Sequence, residues 1–263
     1  MKSGESWILL DESRKHPSPR VWAVSVFLTV FIISGVCMWV LYSASREWQW
    51  GSVWKYRQVF AEGWIRTVGL SLACLIGSMI VGSLLACGQL SRLIPLRALA
   101  TVLVEFIRGT PLLVQIMFFF YVVADGLELD NRYVVGIFTL SLYSGTYISE
   151  ILRGGIEASG RSQLMSALAS GMSHRQAYRY IIIPQAIRAV VPALAGQLVA
   201  LIKHSSLLSV IAVEEFTHAA RSVNSITYST LESYMPLLVG YIILTLPVSW
   251  AAGFLERRFR FDT

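Results

Sequence analysis

Charged side chains are scarce in this chain. Asp, Glu, Lys and Arg make up 14% of its 263 residues, against 55% hydrophobic. Soluble domains average about 25% charged, so an ordinary water-soluble enzyme is excluded, as is a disordered chain. Cysteine is rare too. Cys37, Cys74 and Cys87 lie inside apolar runs, an odd set with neither metal-ligand nor CxxC spacing, and read as small apolar fillers. No GxxxxGK(S/T) sequence occurs, so the chain has no P-loop with which to hydrolyse ATP. HExxH, GxSxG, internal repeats and low-complexity segments are also missing. A net charge of +6 would point to nucleic acid in a soluble protein; here its distribution over loops carries the information.

What is present is a series of long apolar runs: 21–42, 70–88, 98–124, 133–151, 189–213 and 235–255. About 20 apolar residues cross the hydrocarbon as a helix, so the runs predict six spans in an all-α, polytopic membrane bundle. The first run has no small-residue cleavage site, and further spans follow it, which argues against a signal peptide. With the N-terminus in the cytoplasm, 14 of the 22 Lys and Arg fall inside and six outside, while Arg108 and Lys203 sit within spans. The positive-inside rule then places both termini in the cytoplasm. The expected order is a tail (1–20), an additional transmembrane helix (21–42), an external or interfacial segment (43–62), a transmembrane domain (63–257) and a C-terminal tail (258–263). In the external segment, Trp48, Trp50, Trp54, Tyr56 and Phe60 mix with Lys55 and Arg57, which fits an interfacial helix or a plain anchor equally. Gly69, Gly77 and Gly82 read as points of close helix packing.

The stretch 153–188 between the fourth and fifth spans is longer than a simple connector. Ser162 to Ser170 reads as a short helix stopped by Gly171. Ser173 and Gln176 have the spacing of a capping box that starts a second helix, which Pro184 interrupts. A helix–glycine–helix knob projecting into the cytoplasm is either a docking element or a surface hairpin.

Ionisable groups within spans are costly and mark candidate sites. Glu105 and Arg108 lie on one helical face, and Gly109, Thr110 and Pro111 loosen the helix behind them. Gln115 follows, the fourth span carries Tyr147, Glu150 and Arg153, and the fifth carries Lys203, His204, Ser205 and Ser206. These supply a cation for a carboxylate and an acceptor for an ammonium, which is what an amino acid zwitterion requires. The alternative is mutual neutralisation of Glu105 with Arg108 and of Glu150 with Arg153. Neutralisation is favoured for Glu105 and Arg153, and substrate contact for Arg108 and Glu150.

SQLMSALASGMSHRQAYRYIIIPQAIR at 162–188 resembles the EAA loop of ABC-transporter permease subunits, particularly the polar amino acid uptake family. VEFIRGTPLLVQ at 104–115, SGTYISEILRGGIEA at 144–158, LIKHSSLLSVIAVEE at 201–215 and LERRF at 255–259 are similar to further motifs of that family. The resemblance implies a type I ABC importer permease fold, with five core transmembrane helices plus one extra N-terminal helix, in the bacterial inner membrane. It implies substrate contacts at Arg108, Gly109, Thr110, Gln115, Tyr147, Glu150, His204 and Ser205. It implies a coupling helix that docks on the ATPase through Ser166, Ala167, Ala169, Gly171, Met172 and Ser173. Met165 stands where the family has its glutamate, so a capping box and an ionic contact are lost there.

The partners implied are two copies of an ATP-binding subunit, a second permease subunit (identical or paralogous), an extracytoplasmic amino acid binding protein and membrane lipid, with no nucleic acid. No cofactor is expected in this chain; ATP and Mg would sit on the partner ATPase. Two other classes stand beside this one: an ion-coupled secondary amino acid transporter, which has no need of a glycine-cornered loop, and a membrane enzyme, for which no nucleophile–base arrangement is visible.

Overall fold

The computed structural model describes residues 19–44, 50–158 and 161–259, and its regular elements are all helical. The tail before Pro19, Arg46, Trp48 and the last residues from 260 lie outside the described residues. α1, Pro19–Ala44, falls in one unit and everything from Trp50 in another. Trp22, Phe27, Phe31 and Trp39 of α1 are exposed, as on a helix meant for an apolar medium.

The second unit comprises α2 (Trp50–Trp54), α3 (Arg57–Gln89), α4 (Ile94–Arg108), α5 (Leu112–Phe118), α6 (Arg132–Ala158), α7 (Arg161–Ala169), α8 (His174–Ala177), α9 (Ile183–His204), α10 (Phe216–Thr227) and α11 (Thr230–Phe259). Its polarity is the reverse of a soluble domain's. Ile65, Leu72, Ile76, Ile80 and Leu84 of α3 face outward, while its Thr67, Ser71 and Ser78 are buried, as are Ser141, Ser144, Thr146 and Ser149 of α6. With hydrocarbon as the solvent, apolar side chains lose nothing by exposure, and Thr67, Ser78, Ser141, Thr146 and Ser149, though not Ser71 or Ser144, donate to backbone carbonyls. Ser78 Oγ, for example, donates to Cys74 O at 2.6 Å.

α3 and α6 approach closely because Gly82 sits opposite Ile148. A Cβ at Gly82 would lie 2.6 Å from Ile148 Cγ2 and 2.9 Å from Gly145 O. Gly77 plays the same part against Ser141, whereas Gly69 faces open space and packs against nothing. An apolar core of Leu70, Cys74, Leu112, Ile116, Leu140, Leu201 and Leu208 ties α3, α5, α6 and α9 together. A second cluster joins Val53 of α2 and Phe60 to Phe216, Ala220 and Val223 of α10. α2 thus buries Val53 and leaves Trp50 and Trp54 outward.

Among the described residues, four helical stretches are long and apolar enough to cross a membrane: 57–89, 132–157, 174–211 and 230–256. The third apolar run is not the single straight span expected. α4 and the helix from Leu112 through a π-helical turn to Ala124 meet at 103°. Pro111 contributes no N–H, and Gly109 ends α4, so the chain turns there. Nor does Pro184 interrupt its helix. The stretch 174–211 is continuous because a wide π-helical turn, Tyr178–Ile182, precedes the proline and absorbs its missing hydrogen bond. The connector between α6 and α8 is correspondingly shorter than the expected 153–188 loop and contains α7.

Candidate functional site

The break between α4 and α5 is built by Gln115. This buried side chain donates from Nε2 to Ile107 O at 2.6 Å, Thr110 O at 3.1 Å and Thr110 Oγ1 at 2.6 Å. Carbonyls freed at the end of α4 thereby gain donors, and Thr110 Oγ1 donates in turn toward Phe106 O and Ile107 O. The amide nitrogen of Gln115 is committed to the backbone, while its Oε1 is buried without a partner.

This corner holds Arg108, the last residue of α4, against α6. Arg108 Nη1 is 3.5 Å from Glu150 Oε2, and its guanidinium lies over the Tyr147 ring at 5.0 Å. The Glu105–Arg108 pairing weighed from sequence does not form; the carboxylate that Arg108 meets is Glu150. Arg153 Nη2 donates to Glu150 Oε2 at 2.8 Å and its Nη1 to Glu157 Oε2 at 2.7 Å, so one guanidinium bridges two acids on one face of α6. Gln89, 4% exposed, donates from Nε2 to Glu150 Oε1 at 2.9 Å. These groups surround a cavity of about 270 Å³ lined by Gln89, Arg97, Glu105, Arg108, Glu150 and Arg153. Two cations and an amide therefore hold Glu150 on a water-accessible wall.

From Tyr147 an aromatic chain leads to α9. The Tyr143 and Tyr147 hydroxyls are 3.1 Å apart, and Tyr143 meets the His204 ring edge-on with centroids 5.6 Å apart. His204 Nδ1 is buried without a partner. Ser205 is fully buried and donates to Ile202 O at 2.7 Å. Arg108, Tyr147 and Glu150 therefore come together, Gly109, Thr110 and Gln115 form the corner behind them, and His204 joins through Tyr143. Ser205 is turned into its own helix. Gln89 was missed by the sequence reading; its signal was an amide at the end of an otherwise apolar helix.

The corner at Gly171 has the local geometry its sequence encodes. α7 ends in a Schellman motif: Gly171 N–H donates to Leu168 O at 3.0 Å and Met172 N–H to Ala167 O at 3.1 Å, with Gly171 at φ +85°. Ser173 and Gln176 form the reciprocal capping box that opens α8. Ser166, Ala169, Gly171, Met172 and Ser173 are exposed, whereas Ala167 is buried. Met165 is exposed at 66%.

Near the N-terminal end of α3, Glu215 caps α10, accepting from Thr217 N and His218 N at 2.8 Å each and from the Tyr241 hydroxyl at 3.1 Å. α10 lies between the last two apolar runs, in a stretch to which the sequence analysis assigns no element.

A family profile described as the inner membrane component of binding-protein-dependent transport systems matches residues 78–261. The chain belongs to this family. It is the membrane subunit of an ABC importer, a multi-pass inner membrane protein whose part in the complex is non-catalytic. A probable glutamine ABC transporter permease, GlnM of Bacillus subtilis, is 35% identical over 76% of this permease and 93% of its own length. The glutamine transport permease GlnP of Escherichia coli K12 is 31% identical over 81% and 99%. A solved amino acid ABC transporter with histidines superposes with TM-score 0.76 at 33% identity, over 81% of this permease and 99% of that chain. The methionine transporter MetNI shares the fold at TM-score 0.63 and 15% identity, covering 78% of this permease and 97% of that chain. The type I importer fold sets aside the ion-coupled secondary transporter.

Proposed function

We propose that this permease carries a polar, zwitterionic amino acid inward, with Arg108 taking the carboxylate and Glu150 the ammonium. The observation that carries the reading is the Arg108–Glu150 pair, 3.5 Å apart on the wall of a small cavity at the α4–α5 break. A zwitterion can replace each half of that pair with its own opposite charge, so the site exchanges one set of ionic contacts for another. The glutamine and glutamate/aspartate permeases among its relatives support this substrate class. His204, Tyr143 and Tyr147 line the approach for the substrate's side chain.

In the same reading, both termini are cytoplasmic and α1 is an added anchor ahead of the permease domain, 63–257. Two ATPase subunits bind the ATP and Mg, and one of them docks on this chain's Ser166–Ser173 corner. A second permease copy or paralogue completes the pathway, and an extracytoplasmic binding protein delivers the substrate. The test is glutamine uptake by the reconstituted complex. Arg108→Ala abolishes it, and Arg108→Lys restores little because the planar fork is lost. Uptake at the wild-type level in Arg108→Ala would remove the carboxylate role.

A further inference from the structure

A second cavity, of about 480 Å³, lies next to the first, toward the knob. Its wall includes Gln89, Arg97, Ile156, Glu157, Leu164 and Tyr178, so it shares Gln89 and Arg97 with the cavity around Arg108. We propose that this cavity is a second, release-side site for the transported zwitterion, on the path from Glu150 to the cytoplasm. The inference rests on the amino acid reading above.

Three observations carry it. Arg97 lines both cavities and enters no ion pair among the described residues, which leaves a cation open to a carboxylate. Gln89 is 4% exposed, spends its Nε2 on Glu150, and has a buried Oε1 without a partner on the same shared wall. An acceptor so placed takes an N–H from the ligand, because an unmade buried hydrogen bond is costly. Glu150 and Glu157 lie two helical turns apart on one face of α6, bridged by Arg153. An ammonium leaving Glu150 therefore meets Gln89 Oε1 and then Glu157, while the carboxylate passes from Arg108 to Arg97.

The site is weak by construction. Glu157 is 50% exposed and Arg97 is exposed, so solvent screens both, and millimolar binding is expected. Its position links it to coupling. Leu164 belongs to α7 and Tyr178 to the turn after α8, which flank the Gly171 corner, so movement of the knob reshapes the cavity.

The experiment is equilibrium binding of L-glutamine to the complete permease–ATPase complex in nanodiscs, up to about 50 mM. Two equivalents per copy of this chain are expected, one of them about a hundredfold weaker. Ile156→Trp, which fills the second cavity without removing a charge, loses the weak equivalent and keeps the tight one. Glu157→Gln weakens the same equivalent about tenfold and serves if the tryptophan variant does not assemble. Arg108→Ala loses the tight equivalent only.

A single equivalent in the wild type, removed by Arg108→Ala, overturns the release site and leaves the proposed function standing. Loss of both equivalents in Arg108→Ala also overturns an independent second site. A weak equivalent sensitive to Ile156→Trp with no tight one supports the release site and overturns the assignment of Arg108. Absence of any binding overturns both.

Discussion

Arg108 and Glu150 face each other across the α4–α6 contact at 3.5 Å, and neither is the other's sole partner. Glu150 is also held by Arg153 and Gln89, whereas Arg108 lies over the Tyr147 ring and enters no second ion pair among the described residues. Arg108 is therefore the half of the pair that can let go, and Glu150 stays in place when it does.

The double variant Arg108→Ala with Glu150→Gln separates substrate contact from mutual neutralisation. If the pair only cancels charge, removing both halves restores uptake lost in Arg108→Ala. If the two hold the zwitterion, the double variant stays inactive, because each charge-assisted hydrogen bond is worth about 1.5–3 kcal/mol, a tenfold or greater effect. Vesicle uptake is the measurement, and no recovery is expected.

Gln115 gives a different outcome. Its Nε2 contacts are all to Ile107 and Thr110, so Gln115→Leu leaves the Thr110 carbonyl without this donor and Ile107 O with only the longer Thr110 Oγ1 contact. A loss of about 1–3 kcal/mol of stability follows, read as a lower thermal midpoint of the purified complex. Abolished uptake at an unchanged midpoint would instead make Gln115 a substrate contact.

Packing of α3 on α6 predicts a contrast between two glycines. Gly82→Val drives side-chain atoms into Ile148 and the Gly145 carbonyl, and overpacking of this kind costs about 1–3 kcal/mol. Gly69→Ala meets nothing within 4 Å and leaves the midpoint within about 0.5 kcal/mol of wild type. Equal effects of the two would mean that the contact does not govern assembly.

The legible features were those set by local chemistry. Length and apolarity located the helices, Gly171 announced its positive φ, and Ser173 with Gln176 announced the capping box. What escaped depended on tertiary partners. The proline at 111 marked a break, but local sequence carried neither its 103° angle nor the folding of Gln115 back on Ile107. Pro184 carried the same local signal and gave no break, since the π-helical turn before it absorbed the missing donor. Arg108 could reach Glu105 along its own helix, and only the packing of α4 on α6 decides for Glu150. Gln89 lies 61 residues from Glu150, beyond any local pattern.

Glu215 predicts a pH dependence on the face away from the knob. Its carboxyl is fully buried, and burial holds it above the ordinary carboxylate range, with hydrogen bonds from Thr217, His218 and Tyr241 opposing. The folded protein thus binds this proton more tightly than the unfolded chain. The stability it brings is complete below the unfolded value and is lost as pH rises through the raised, folded one. The thermal midpoint of the wild type should fall over that window, and Glu215→Gln should flatten the curve. Superimposable curves for the two would show that another group sets the dependence.

Gly171 separates backbone conformation from contact at the coupling corner. A Cβ there would meet nothing within 4 Å, so any effect of substitution comes from its φ of +85° and not from a clash within this chain. Gly171→Val forces a β-branched residue into the left-handed region, costing roughly 1–2 kcal/mol, enough to release the hydrogen bonds from Gly171 to Leu168 and from Met172 to Ala167. Gly171→Asn adds a comparable side chain that tolerates this conformation. If the corner must keep its shape to seat the ATPase, Gly171→Val loses coupling of ATP hydrolysis to uptake and Gly171→Asn largely retains it. Gly171→Asp, also tolerant but anionic, then reports on charge alone. Copurification of the ATPase and binding-protein-stimulated hydrolysis measure each step. Normal coupling in Gly171→Val would end the docking assignment, since that variant cannot hold the Schellman turn at its present cost.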